Sequence, residues 1–96
     1  MEASPKGTGM RQEKAPPHVT NAMFDIVENQ IRDNDPKETK ATLMRLMDSG
    51  IERHEAIRLI ASVVGNEIFH VLKFKEEFNE PRFVANLQKL PTMPWE

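Results

Sequence analysis

One long run of apolar residues with helical spacing constrains the fold of this chain more than any other feature. Its members recur at intervals of three and four residues, which is the period of one helix face. They are Ile57, Leu59, Ile60, Val63, Val64, Ile68, Val71, Leu72 and Phe74. The run predicts a central helix, helix three, around which the remainder of the chain packs.

Two shorter helices are predicted before it. Helix one covers about 20–32, and helix two begins with Asp35 as N-cap and Pro36 in its first turn and ends near Asp48. Gly50 is predicted to terminate helix two in the left-handed conformation. Their predicted buried stripes consist of Val19, Met23, Ile26, Val27 and Ile31 in helix one, and Thr39, Leu43, Leu46 and Met47 in helix two.

A fourth helix is predicted over about 80–89, with Asn79 as its N-cap. Short connections and the lack of strand patterning predict an all-α fold, a four-helix bundle built from two αα-hairpins. The helical domain spans 18–90, between a flexible, disordered N-terminal arm over 1–17 and a C-terminal tail over 91–96.

Composition narrows the range of functions. The 96 residues include 13 Lys+Arg, 15 Asp+Glu and no cysteine, with a formal net charge of −2. A chain with this charge balance does not have the concentrated basic surface that nucleic-acid binding needs. Because it has no cysteine, thiolate chemistry is excluded. No apolar run is long enough for a membrane span. We therefore expect a cytoplasmic protein with no nucleic-acid partner and no membrane partner.

Glu67 and His70 form the pair with the most chemical potential. Their Glu-x-x-His spacing is that of di-iron helical bundles, in which both side chains project towards the bundle axis. Glu28 and His18 are the further residues that such a site would recruit. Because a di-metal centre needs two such pairs, the sequence favours no metal, no catalytic residue and no cofactor.

The alternative for Glu67 is a structural one. It falls among core positions of helix three, so its carboxylate needs a partner. Gln30, Thr39, Arg58 or a backbone group are the candidate partners, because Gln30 and Thr39 lie on or beside the apolar stripes of their own helices.

Three further features are structural or interaction candidates. Gly65 is expected inside a continuous helix three, where it allows close helix packing. Trp95 is expected to fold back on the bundle, with an exposed contact patch as the alternative. The methionines Met23, Met44 and Met47 are expected to fill the core rather than form a binding surface.

The chain resembles a bacterial family of small all-helical proteins whose domain has no known function. The resemblance covers about 18–90 and rests on Val27-Glu28-Asn29-Gln30-Ile31, Asn34-Asp35-Pro36, Thr42-Leu43-x-x-Leu46, Gly50 and Arg53-His54-Glu55-Ala56-Ile57. In that family the histidine stretch often continues to a second histidine, where this chain has Arg58, and a serine often stands at the position of Glu52. The resemblance implies an all-α, cytoplasmic bacterial protein without an assigned activity.

A second, local similarity is to the ubiquitin-associated domain. It rests on Leu46-x3-Gly50-Ile51-x4-Ala56-x2-Leu59-Ile60-x5-Asn66-x4-Val71. This similarity requires a turn at Gly65-Asn66 and implies a ubiquitin-contacting surface at Gly50-Ile51. If helix three instead runs through Gly65 without a turn, the match reflects only the periodicity of a helix.

These observations predict a protein-interaction or regulatory module without catalytic activity, which binds an unknown protein partner or associates with itself. Dimerisation is one alternative open to the chain, because helix three is longer than its neighbours can cover. The alternatives are a metal-dependent or carboxylate-based enzyme centred on Glu67 and His70, and a ubiquitin-associated-like peptide or protein binder.

Overall fold

The computed structural model describes residues 19–96, and these form four α-helices. They are α1 (Asn21–Asp33), α2 (Lys37–Asp48), α3 (Arg53–Phe74) and α4 (Glu80–Lys89). No strand occurs within this range. The predicted all-α fold is confirmed, whereas the arm predicted over 1–17 lies outside the described residues.

The helix ends follow local capping chemistry. The Thr20 hydroxyl accepts a hydrogen bond from the Met23 amide at the start of α1, and the Asn79 side chain accepts one from the Arg82 amide at the start of α4. Gly50 follows α2 with φ of +102°, a conformation that glycine adopts without a Cβ penalty. The predicted caps at Asn79 and Gly50 are therefore confirmed.

The predicted N-cap of α2 is wrong. Pro36, with φ −73° and ψ 150°, is still extended, so the helix begins at Lys37 and Asp35 lies one residue too early to cap it. The carbonyl of Pro36 accepts a hydrogen bond from the Thr39 amide in the first turn. Pro36 is the N-cap residue, and it makes no side-chain hydrogen bond.

Helix α3 is continuous through Gly65, as predicted, and it contacts all three other helices. Helix α1 packs on α2 and α3, while α4 packs on α2 and α3. The hairpins α1/α2 and α3/α4 therefore lie face to face. Their shared core consists of Met23, Val27, Leu43, Leu46, Ala56, Ile57, Leu59, Ile60, Ala61, Val63, Val64, Phe83, Leu87 and Leu90.

Arg45 ties α2 to the far end of α4. Its guanidinium donates hydrogen bonds to the carbonyl oxygens of Leu90 at 2.9 Å and Leu87 at 3.0 Å. These carbonyls lie at the end of α4, where helices leave acceptors without intrahelical partners. Arg45 is exposed, and its guanidinium supplies a positively charged cap to α4.

The tail beyond α4 stays close to the bundle. Met93 packs against the core and Trp95 is half-buried. Among residues 19–96, no helix combines the length and the apolar character that crossing a bilayer requires.

Candidate functional site at the α3–α4 junction

Glu67 lies inside the protein on α3 and is fully buried. Its Oε1 accepts a hydrogen bond from Arg82 Nε at 3.0 Å, and its Oε2 accepts from Arg82 Nη2 and from the backbone amide of Asn79 at 3.0 Å. The guanidinium thus binds the carboxylate through two parallel hydrogen bonds, which is the strongest geometry for such a pair.

The start of α4 creates this arrangement. Because Asn79 is the N-cap, its own amide has no helical partner and is free to donate to Glu67. Arg82 lies in the first turn of α4 and reaches back to α3, and it also pairs with Glu76 at 3.3 Å. The side chain of Arg82 is 29% exposed, so the cluster reaches from the interior to the surface.

The charge state of the cluster follows from these contacts. Burial by itself penalises the charged form of Glu67, but the hydrogen bonds from Arg82 and from the Asn79 amide outweigh it, so the pKa of Glu67 lies below its ordinary value. The hydrogen bond to Glu67 likewise raises the pKa of Arg82. Glu67 is therefore an ionised carboxylate, and both of its oxygens accept hydrogen bonds. These bonds hold α4 against α3.

The structure does not assemble the residues considered for a metal site. Glu28 lies on α1 and pairs with Arg53 through bonds of 3.1 and 3.2 Å, while Glu67 is held by Arg82. Within 19–96, no group of three or more His, Asp or Glu side chains is placed to hold a metal ion. His18 lies outside the described residues.

The expected side-chain partners of Glu67 are wrong, because these side chains bond elsewhere. Thr39, fully buried, donates to the Gln30 amide oxygen at 2.9 Å, and Arg58 pairs with Glu55 on the surface of α3. A backbone group was also expected, and the Asn79 amide fills that role. Arg82 was missed because it stands fifteen residues away on another helix, beyond the reach of any periodicity argument.

Apolar side chains surround the last turns of α3 on the outside of the protein. Phe69 is 43% exposed, Leu72 72%, Phe74 54%, and Phe78, just beyond the helix, 48%. We call these four residues the α3 end patch. Leu72 and Phe74 were expected in the buried stripe, and this prediction is wrong because α3 extends beyond the region that its neighbours cover.

The patch has internal order. The His70 ring stacks on Phe74 with a centroid distance of 5.4 Å and meets the edge of Phe69 at 6.2 Å. Lys73 Nζ lies 5.4 Å from the centre of the Phe69 ring and 5.5 Å from that of Phe74. These aromatic and cation–π contacts hold the rings in place and leave part of their surface in water.

His70 belongs to this aromatic group. Its Nδ1 is buried and has no hydrogen-bond partner among the described residues. The Glu-x-x-His pair is thus divided between two environments, with Glu67 in the ion pair to α4 and His70 among the phenylalanines.

The other sequence candidates lie elsewhere. Met23 is buried as expected, but Met44 and Met47 are exposed on α2, which contradicts their predicted role in the core. Gly65 is buried within α3, and Trp95 is half-buried in the tail.

Comparison of the chain with protein-family models, with curated proteins and with solved structures produced no match.

Proposed function

We propose that this protein is a non-catalytic interaction module and that the α3 end patch is its docking surface. The observation that carries the proposal is the exposure of four apolar residues at the end of α3 and just beyond it, namely Phe69, Leu72, Phe74 and Phe78. The proposal includes the cytoplasmic location and the relationship to a bacterial helical family that the sequence suggests.

The size of the patch supports this function. Three half-exposed phenylalanines and a largely exposed leucine present roughly 400 Å² of apolar surface, given the area of aromatic side chains. Contiguous apolar surface of a few hundred Å² on a small protein often marks a site of interaction. Aromatic residues are also the type most enriched among those that dominate binding energy.

The support beneath the patch favours binding as well. The ion pair between Glu67 and Arg82 fixes the α3–α4 junction, and Phe78 packs on the buried Phe83 with a centroid distance of 5.4 Å. A surface whose side chains are already ordered loses less conformational entropy when a partner binds. The same ion pair leaves Glu67 without a free oxygen for acid–base work.

A photo-crosslinking amino acid introduced at Leu72 tests the proposal in native cells. We expect covalent adducts with protein at a clearly higher yield than from the same probe at Met44. Met44 is a matched control because it is an exposed apolar residue on a different helix. Equal yields at the two positions would contradict the proposal.

A further inference from the structure

We infer that the partner of the α3 end patch is a second copy of this chain, the two copies pairing around a two-fold axis. This inference rests on the proposed function, since it assigns an occupant to the same surface.

The charges around the patch are self-complementary. Along the chain, Lys73 and Lys75 precede Glu77 and Glu76, of which Glu76 also pairs with Arg82. Charges of both signs therefore flank Phe74 and Phe78. In a two-fold pair the same surface of each copy meets the other in reversed order. The lysines of one copy then approach the glutamates of the other.

A partner of a single charge sign fits this border less well. An acidic partner would be repelled by Glu76 and Glu77, and a basic partner or an anionic lipid surface gains only from one half of the border. A second copy carries the same row of charges and, turned about a two-fold axis, presents that row in the reverse direction.

The area is also sufficient for a reversible dimer. A typical interface is a little more than half apolar. If each copy contributes roughly 400 Å² of apolar surface, the whole interface buries roughly 1,400 Å². This falls within the range of specific complexes, near its lower part. We therefore expect a dimer with a Kd on the order of 10–100 μM, as is typical of a transient contact.

The length of α3 gives the geometric reason. Its 22 residues span about 33 Å at 1.5 Å per residue, whereas α1, α2 and α4 have 13, 12 and 10 residues. The core residues that α3 contributes end at Val64, and Glu67 is its last buried residue. Within the described part of the chain, much of the apolar surface of the turns beyond it is left exposed.

Sedimentation velocity on the full chain, from about 5 μM to about 1 mM, provides the first test. We expect wild type to shift from monomer to dimer across this range. Leu72→Glu is expected to weaken the association at least about tenfold, because it places a carboxylate in the apolar centre. Met44→Glu, at a similarly exposed position on α2, is expected to leave association unchanged.

Charge reversal tests whether like surfaces meet. Lys73→Glu and Glu77→Lys are each expected to weaken self-association, because each variant alone brings like charges together. An equimolar mixture of the two variants is expected to regain association as a heterodimer, since both cross-pairs are then opposite in sign. Circular dichroism of each variant checks that it remains folded.

The outcomes separate the two proposals. A chain that stays monomeric at about 1 mM but yields heterologous adducts from the probe at Leu72 overturns self-association and retains the docking surface. A monomer that instead cosediments with anionic vesicles also overturns the inference. Association that is unaffected by Leu72→Glu, or a mixture that does not recover, overturns it too.

Discussion

The middle and the end of α3 have similar apolar side chains but different surroundings. Helix α3 packs against α1, α2 and α4, and Ile60, near its middle, is fully buried. Around Leu72 it extends past them, and a leucine is left mostly in water. Between these regions, at Glu67, a charged residue is buried. Burial along α3 is therefore set by which helix faces each position more than by residue type.

The largest expected effect separates these two regions directly. Ile60→Ala is expected to lower the free energy of unfolding by about 3 kcal/mol, because it removes buried methylene groups and leaves a cavity. Leu72→Ala is expected to change it by less than about 0.5 kcal/mol. Urea denaturation at low micromolar concentration measures both. Similar losses at the two positions would mean that the end of α3 is covered in the monomer.

Removal of the buried carboxylate comes next. Glu67→Ala is expected to lower the free energy of unfolding by about 2–3 kcal/mol, since it breaks a buried ion pair and deprives the Asn79 amide of its acceptor. The matched control is Glu28→Ala, which removes an exposed partner of Arg53 and is expected to lower it by about 0.5 kcal/mol or less. Equal effects would show that the α3–α4 junction does not depend on Glu67.

A smaller effect is expected where Arg45 caps α4. Arg45→Met keeps much of the side-chain length but removes the donors to the Leu87 and Leu90 carbonyls. The expected loss in the free energy of unfolding is about 1 kcal/mol. Arg32→Met is the control, because Arg32 bonds only to its neighbours Asn29 and Asp33, and no measurable change is expected there. A result in which the two arginine variants unfold alike would contradict the role of Arg45.

The smallest effect is a dependence on pH. The folded-state pKa of Glu67 lies below its ordinary value of 4.5, because the hydrogen bonds from Arg82 and Asn79 outweigh the effect of burial. Its contribution to stability is therefore complete above that ordinary value and is lost as the pH falls through the folded-state pKa. The gap in stability between wild type and Glu67→Gln should narrow on acidification, as urea titrations between about pH 7 and about pH 2.5 can show. A gap for Glu67→Gln that stays constant over this range would contradict the lowered pKa of Glu67.

Much of the local structure could be predicted from sequence. Asn79 and Gly50 act through their own backbone neighbourhood, so their roles as helix start and helix end depend on few residues. The continuity of α3 through Gly65 also follows from local cost, since one glycine weakens a helix less than a break in its apolar stripe would. Asp35 was misplaced by one residue because the conformation of Pro36 decided where α2 begins.

The candidate site was only half predictable. A carboxylate at Glu67 in a helical apolar stripe signals a need for a partner, and that need is met. Nothing in the pattern around Glu67 points to Arg82, since the contact depends on the angle at which α4 returns along α3. The exposure of Leu72 and Phe74 was missed for a related reason, because periodicity identifies a face of a helix but not the point at which its neighbours stop.

The sequence by itself determined four helices, the ends of α1, α2 and α4 to within about one residue, and the apolar side of each. Those features arise from hydrogen bonds and side-chain preferences that act within one or two turns. The tertiary structure alone decided that Glu67 is matched to Arg82, that Arg45 caps α4, and that the end of α3 stays uncovered. These depend on how far each helix extends alongside the others, a relation between segments distant in the chain.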